Sequence, residues 1–178
     1  ENIPGVYVVG DTVRYYPYGD LLSQVLGFTG IDNQGIAGIE YIYDGYLKGT
    51  EGALKIFTDA KGNIMHDMYG LYESSNPGFD IYLTIDLEIQ EIIENTINNA
   101  IKQYDPDQML ILVQSPKTGE ILGMASYPNF YPENYQDYSQ EIYNRNLPIW
   151  MSYEPGSTFK IVTYSAGLEE QVFTLDEG

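Results

Sequence analysis

The sequence predicts an α+β fold in which a turn-rich first module is followed by one long helix and a pair of strands. The helix is predicted because apolar residues recur at helical spacing from Ile89 to Tyr104. The strand pair is predicted because two short apolar runs, residues 109–113 and 120–125, flank a turn-forming stretch. Glycine and turn signals are dense before residue 78, and the polar stretch 73–78 is the best candidate for a linker.

The first module, residues 1–78, is predicted to consist of short elements joined by turns. Pro17 disfavours a helical conformation at Tyr16, and Gly27 can end a helix in a left-handed conformation. The predicted elements are an extended segment at 3–9, a strand and turn at 14–19, helices at 20–26 and 39–47, and a hairpin of 53–58 with 64–69.

The second module, residues 79–178, contains the long helix and the strand pair. Asp86 is a suitable N-cap for that helix, Glu88 lies in its first turn, and Pro106 lies just beyond its predicted end. The other predicted elements are a short strand at 81–85, a turn at 115–119 between the paired strands, an irregular surface excursion at 127–153, and a helix at 157–170.

Charge and composition exclude several function classes. The chain has 178 residues with 26 acidic and 8 basic side chains, a net charge of −18 that argues against a nucleic-acid partner. There is no cysteine, which excludes thiol catalysis and disulfide bonds. No apolar run is long enough to span a membrane. The sequence starts at Glu1 without a signal-like segment, so we expect the natural protein to extend further upstream.

One short motif carries chemistry, the Ser-x-x-Lys pattern of Ser157 and Lys160. On a helix, side chains three positions apart share a face, so the lysine amine can reach the serine hydroxyl. A serine needs such a base to become a nucleophile, and a lysine serves as one only where burial or nearby positive charge favours its neutral form. Alone the pattern also fits a surface helix with a solvated lysine, but Pro155 and Gly156 place Ser157 at a helix start.

The segment 153–160, Tyr-Glu-Pro-Gly-Ser-Thr-Phe-Lys, resembles the active-site signature of the class B penicillin-binding proteins. Other motifs similar to those of this family follow in the same order over nearly the whole chain. They are Arg14-x-Tyr16-Pro17-x-Gly19, Leu26-Gly27, Gly35-x-x-Gly38-x-Glu40, Leu83-Thr84-Ile85-Asp86, the stretch 116–126 and Asn144-Arg145. The stretches 14–35 and 143–160 are most similar to the sporulation-specific branch of the family.

The resemblance implies a two-part fold and a peptidoglycan D,D-transpeptidase. Residues 1–78 would belong to the non-catalytic, dimerisation-type pedestal domain and residues 79–178 to the N-terminal portion of the transpeptidase domain. Ser157 would be the nucleophile and Lys160 its base, with no metal or organic cofactor. The family's later motifs, Ser-x-Asn and Lys-Ser/Thr-Gly, do not follow Lys160, so we expect this piece to be inactive on its own.

Partners and location also follow from the resemblance. The parent protein would act on peptidoglycan stem peptides, bind β-lactams as inhibitors, and work beside a membrane glycosyltransferase. It would be anchored at the extracytoplasmic face of the cell membrane, or of the forespore membrane if it is sporulation-specific. The alternatives are a vegetative or division-type transpeptidase, a scaffold that docks the glycosyltransferase, and a β-lactamase or β-lactam sensor, against which the first-module motifs argue.

Three further features of the sequence lie outside this candidate site. Lys117-Thr118-Gly119 matches the family's Lys-Thr-Gly triplet but precedes the nucleophile and lies in a predicted turn, so we interpret it as structural. His66, the only histidine, is expected to be structural or exposed, with no nucleophile beside it. Arg14 and Glu40 are expected to form a partly buried ion pair within the first module.

Overall fold

The computed structural model describes residues 6, 13–50, 52–55, 57 and 71–176 and contains helices with two separate two-stranded antiparallel sheets. Several of the helices are single turns. The α-helices are α1 (Ser23–Leu26), α2 (Gly38–Ile42), α3 (Asp44–Leu47), α4 (Leu87–Tyr104), α5 (Gln140–Tyr143), α6 (Leu147–Trp150) and α7 (Lys160–Glu169). The strands are β1 (Ala53–Lys55), β2 (Leu71–Glu73), β3 (Met109–Gln114) and β4 (Ile121–Tyr127), and 3₁₀ turns span Pro132–Asp137 and Gly156–Phe159.

Close backbone contact between α1 and α2 organises the first module. Gly27 ends α1 with φ 78°, as predicted, and its N–H donates to the carbonyl of Ser23. A Cβ placed on Gly27 would lie 1.8 Å from the carbonyl oxygen of Ala37. A Cβ placed on Gly38 would lie 2.6 Å from the carbonyl oxygen of Val25. The two glycine motifs of the sequence are therefore required where the two chain segments touch.

Helix α4 and the strand pair β3–β4 form the core of the second module. Asp86 caps α4 as predicted, since its side chain accepts a hydrogen bond from the N–H of Ile89 at 3.0 Å. The buried side chains of Ile93 and Ile97 pack against Ala125 of β4. The strands pair from Met109 opposite Tyr127 to Gln114 opposite Ile121. The apolar spacing of the sequence thus places the helix stripe on the sheet.

The side-chain amide of Gln90 in α4 forms hydrogen bonds with the backbone of β4. It is fully buried, accepts a hydrogen bond from the N–H of Met124 at 2.9 Å, and donates to the carbonyl of Met124 at 2.9 Å. It also donates to Glu94 at 2.7 Å. A buried polar group that bonds on every side orients α4 against the sheet, because losing any partner would leave an unsatisfied group.

The two modules are joined by a polar contact region around α1. Glu94 accepts a hydrogen bond from the N–H of Leu22 at 2.8 Å, and Gln24 donates to the carbonyl of Pro128 at 2.8 Å. Ser23 bonds the side chain of Asn129, which donates to the carbonyl of Asp20 at 3.0 Å. The first module therefore contacts both α4 and the chain that leaves β4.

Glu94 should make the stability of this contact dependent on pH. Burial raises the pKa of its carboxyl, and the negative charge of Asp20 raises it further, against the opposing hydrogen bonds from Leu22 and Gln90. A raised folded-state pKa means that the folded chain holds the proton more tightly. The stabilising contribution of protonated Glu94 is therefore complete below the ordinary glutamate pKa of about 4.3. It is lost as the pH rises through the pKa of Glu94 in the folded state.

We expect Glu94→Gln to flatten this part of the pH dependence of unfolding free energy, because glutamine is neutral throughout and keeps an oxygen for Leu22. Urea unfolding of the chain between about pH 4.5 and pH 8 measures it. Glu91→Gln, on the exposed face of the same helix, is the control. An unchanged slope in Glu94→Gln would show that Glu94 does not titrate as its burial implies.

Arg14 and Glu40 form the expected ion pair, with Arg14 Nη2 and Glu40 Oε2 2.7 Å apart. The Glu40 side chain is 13% exposed but that of Arg14 is 42% exposed, so the pair is only partly buried. Solvent screening at the arginine reduces its contribution, and we expect Glu40→Gln to cost about 1 kcal/mol or less. Chemical denaturation at low and high salt measures it, since the loss should shrink with added salt.

The matched control for that pair is Glu141→Gln. Glu141 makes an exposed ion pair with Arg145 four residues on, at 3.5 Å, and its removal should have no measurable effect. A loss of several kcal/mol in the free energy of unfolding of Glu40→Gln would mean that solvent is excluded from the pair.

Several predicted segments differ in the structure. The predicted strand and turn at 14–19 forms a turn without a strand, and the predicted helix at 20–26 is helical only over Ser23–Leu26. The predicted helix at 39–47 is broken at Tyr43, whose ψ of 17° separates α2 from α3. The predicted linker 73–78 packs on the first module, since Asn76 and Thr50 exchange backbone hydrogen bonds. The predicted strand 81–85 is irregular, because its contacts to the sheet are single hydrogen bonds such as that from Thr84 Oγ1 to the carbonyl of Ile121.

The predicted surface excursion 127–153 is wrong in part, because Phe130, Pro132 and Leu147 are buried. Local polarity suggested an exposed stretch, whereas Phe130 packs on Phe28 of the first module and Leu147 lies in α6, which packs on β3 and β4. The prediction for 3–9, apart from Val6, and the predictions for His66 and for the hairpin partner 64–69 lie outside the described residues. Strand β1 pairs with β2, with Ala53 opposite Glu73.

Candidate active site

Ser157 and Lys160 lie at the junction of a 3₁₀ turn and α7. The turn spans Gly156–Phe159, and the backbone N–H of Lys160 donates to the carbonyl of Ser157. Gly156 starts the turn with φ 54°, a conformation that favours glycine. Side chains at i and i+3 nearly eclipse in a 3₁₀ turn, so Ser157 and Lys160 are presented on one side. The predicted helix start at Ser157 is thus confirmed, with a tighter first turn.

Both side chains are exposed to solvent in this chain. Among the described residues, neither side chain has a hydrogen-bond or ion-pair partner, and α7 has no buried residue. Apolar side chains of α7 and its leading turn are open, with Phe159 55% and Ile161 72% exposed. The helix is therefore uncovered, and the two candidate groups lie three residues apart without an enclosing wall.

Packing holds the chain that leads from the sheet toward Ser157 as far as α6. After β4 the chain passes through the 3₁₀ turn Pro132–Asp137, α5 and α6. Asn146 donates to the sulfur of Met124 in β4 at 3.2 Å, and Leu147 is buried at the start of α6. The guanidinium carbon of Arg145 lies 4.2 Å from the ring centre of Trp150, a cation–π contact on the surface. Residues 151–155 then run exposed to the 3₁₀ turn.

The alternative Lys-Thr-Gly triplet lies in the β3–β4 turn, as predicted. Gly119 has φ 79°, and its N–H donates to the carbonyl of Ser115 at 2.9 Å. The hydroxyl of Thr118 contacts Ser115 Oγ at 2.9 Å and the carboxylate of Glu120 at 2.7 Å. These contacts close the turn on itself, which supports a structural role.

Sequence patterns do not identify Gln90 and Phe28, the two fully buried side chains that contact β4 and the chain after it. Gln90 follows a family-like motif without an evident role, and nothing in the pattern singles out Phe28. The available signal is the density of aromatic residues between 127 and 153, which polarity alone assigns to the surface. No helix of the described residues is long and apolar enough to cross a membrane, and no group of three or more acidic or histidine side chains among them is placed to hold a metal.

Comparison with known protein families matches two models to this chain. Residues 1–83 match the penicillin-binding protein dimerisation domain, and residues 109–178 match the penicillin-binding protein transpeptidase domain. The matched order agrees with the pedestal and transpeptidase parts that the sequence resembles.

Individual relatives agree with these families. Stage V sporulation protein D of Bacillus subtilis is 51% identical over 98% of this chain and 27% of its own length. The peptidoglycan D,D-transpeptidase FtsI of Escherichia coli is 31% identical over 96% of this chain and 29% of its own. Penicillin-binding protein 3 of Mycobacterium tuberculosis superposes with a TM-score of 0.75 at 28% identity, over 93% of this chain and 33% of that one. The chain thus spans about a quarter to a third of the relatives it matches.

Proposed function

We propose that the parent of this chain is a peptidoglycan D,D-transpeptidase. The chain belongs to the class B penicillin-binding proteins and combines their dimerisation domain with part of their transpeptidase domain. One observation carries the proposal most directly. Ser157 lies in the 3₁₀ turn Gly156–Phe159 and Lys160, three residues on, begins α7, both within the residues that match the transpeptidase family.

In the proposed reaction Ser157 is the nucleophile and Lys160 the general base. The Ser157 oxygen attacks the carbonyl carbon of the penultimate D-Ala of a stem peptide while its proton passes to the Lys160 amine. The peptide C–N bond breaks, and the departing D-Ala amine takes up a proton. The amine of a second stem peptide then attacks the acyl-enzyme, forming the cross-link and releasing Ser157.

The N-terminal end of the turn supplies a second element of this chemistry. Unpaired backbone N–H groups at a helix start can stabilise the oxyanion that develops during attack. β-Lactams would acylate the same serine, because their strained amide resembles the D-Ala-D-Ala bond at the reacting carbonyl. No residue of the proposal requires a metal or an organic cofactor.

Fluorescent penicillin labelling of the full-length protein tests the proposal. We expect stoichiometric labelling of the natural protein and none of Ser157→Ala. Ser165→Ala is the matched control, because Ser165 lies on α7 but bonds the carbonyl of Ile161 at 2.7 Å. Equal labelling of Ser157→Ala and the natural protein would exclude Ser157 as the nucleophile.

A boundary between the modules at residues 78 and 79 is also proposed. Two contacts support it: a Cβ on Gly78 would lie 1.8 Å from the carbonyl of Leu47 in the first module, and the N–H of Asp86 donates to Leu122 of β4 at 2.8 Å. Limited proteolysis that separates two stable pieces near residue 79 would agree with this boundary, whereas a cut inside α4 would not.

The biological role proposed is synthesis of the spore cortex, on the strength of the 51% identity to stage V sporulation protein D. The parent would be anchored at the extracytoplasmic face of the forespore membrane, beside a membrane glycosyltransferase. Deletion of its gene in an endospore former should leave vegetative growth intact and block the cortex. A division defect would assign the protein to the alternative, division-type role.

A further inference from the structure

A cluster of aromatic rings joins the first module to the chain that precedes Ser157. Phe28 is fully buried and stacks on Tyr135 with ring centres 3.9 Å apart. It also makes edge contacts with Phe130 at 5.9 Å and Tyr143 at 5.4 Å. Phe130 is 1% exposed and contacts Tyr138 at 6.2 Å. Of these five rings, Phe28 alone comes from the first module.

The far end of this cluster is connected to the nucleophile segment. Tyr143 is the last residue of α5, and α6 begins a few residues later at Leu147. The N–H of Trp150 donates to the carbonyl of Asn146 at 2.9 Å, so α6 is a closed turn. Beyond Trp150 the chain is exposed until Ser157, and the last buried side chain before the nucleophile is Leu147.

The polar contacts between the modules act on a different part of this chain. Ser23 and Gln24 hold Asn129 and Pro128, which lie directly after β4. They fix where the chain leaves the sheet but do not reach α5. Phe28 contacts Tyr143 at the other end of the segment, so it supplies a constraint that the hydrogen bonds do not.

We propose that Phe28 is a positioning residue for the transpeptidase nucleophile. Its ring holds Tyr135 and Tyr143, which fixes α5 and α6 and thereby the position from which Ser157 meets a substrate. The inference rests on the proposed function for its catalytic consequence only, since the placement of α6 can be measured without activity. It makes the first module part of the active-site support.

The placement is measured in the 178-residue chain through its single tryptophan. Trp150 lies in α6, between the ring cluster and Ser157, and is 60% exposed. Releasing α6 by Phe28→Ala should raise the acrylamide quenching constant of Trp150 by up to about 1.7-fold, the ratio of full exposure to the present 60%. Ile97→Ala is the control, because Ile97 is also buried, in the core under β4, and is not part of the ring cluster around Phe28.

The catalytic consequence is measured in the full-length protein by active-site titration. A displaced nucleophile lowers the acylation rate constant of each folded molecule, and we expect Phe28→Ala to lower it about 10-fold with the labelled fraction unchanged. A merely destabilising change, as in Ile97→Ala, should lower the labelled fraction and leave the rate constant as it was. Phe28→Leu, which keeps an apolar side chain of similar volume, should restore most of the rate.

Each outcome decides the inference. Higher Trp150 quenching and a slower rate constant in Phe28→Ala, with rescue by leucine, support it. The inference is overturned if Phe28→Ala is acylated with the rate constant of the natural protein. It is also overturned if Trp150 quenching in Phe28→Ala equals that in Ile97→Ala. If Phe28→Ala does not fold, Phe28→Leu and Tyr143→Leu are compared by the same two measurements. If penicillin labels none of the proteins, the proposed function fails, and the Trp150 quenching alone decides the positioning role.

Discussion

The 178-residue chain should not be acylated by penicillin at a useful rate, although it contains Ser157 and Lys160. Both side chains are exposed and without a partner among the described residues, and α7 has no buried residue. No hydrogen bond among the described residues orients the Lys160 amine toward the Ser157 hydroxyl, so the pair lacks the geometry that general-base catalysis needs. We therefore expect acylation at least about 100-fold slower than in the full-length protein, the size of a lost general-base contribution.

The measurement is fluorescent penicillin labelling of both proteins side by side, with full-length Ser157→Ala as the blank. Groups that act as a unit in catalysis are not additive, so a chain that holds only part of the site should behave like the blank. Stoichiometric labelling of the 178-residue chain would show that the segments absent from it are not needed to activate Ser157.

Replacement of Gly27 by alanine should unfold the first module. The φ of 78° and ψ of −153° at Gly27 belong to a region that is nearly exclusive to glycine. The added Cβ would also lie 1.8 Å from the carbonyl oxygen of Ala37 and 2.8 Å from the nitrogen of Gly38, both backbone atoms that cannot rotate away. Strain and overpacking together should cost about 3 kcal/mol or more, measured by thermal unfolding.

Gly45→Ala is the matched control, because Gly45 lies in α3 and a Cβ placed on it would have no atom within 4 Å. Alanine favours the helical conformation there by up to about 1 kcal/mol, so this variant should be neutral or slightly more stable. A melting temperature of Gly27→Ala equal to that of the natural chain would mean that α1 and α2 separate without cost.

Elements with a local cause were predicted from the sequence. Helix α4 follows from its apolar stripe and from the Asp86 cap, which uses a backbone N–H three residues away. The strands β3 and β4 follow from two apolar runs and a turn between them. The candidate pair Ser157 and Lys160 follows from its spacing, and its place at a helix start follows from Pro155 and Gly156.

Contacts between distant residues were decided by the tertiary structure alone. The stretch 127–153 has the polarity of a surface loop, yet Phe130 within it is buried against Phe28 of the other module. Gln90 has the polarity of an exposed helix position, yet it is fully buried because the backbone of Met124 supplies both a donor and an acceptor for its amide. Helical spacing and turn residues are encoded by neighbours in the chain. Which polar side chain is buried depends on a partner far along the chain, and no local pattern specifies that partner.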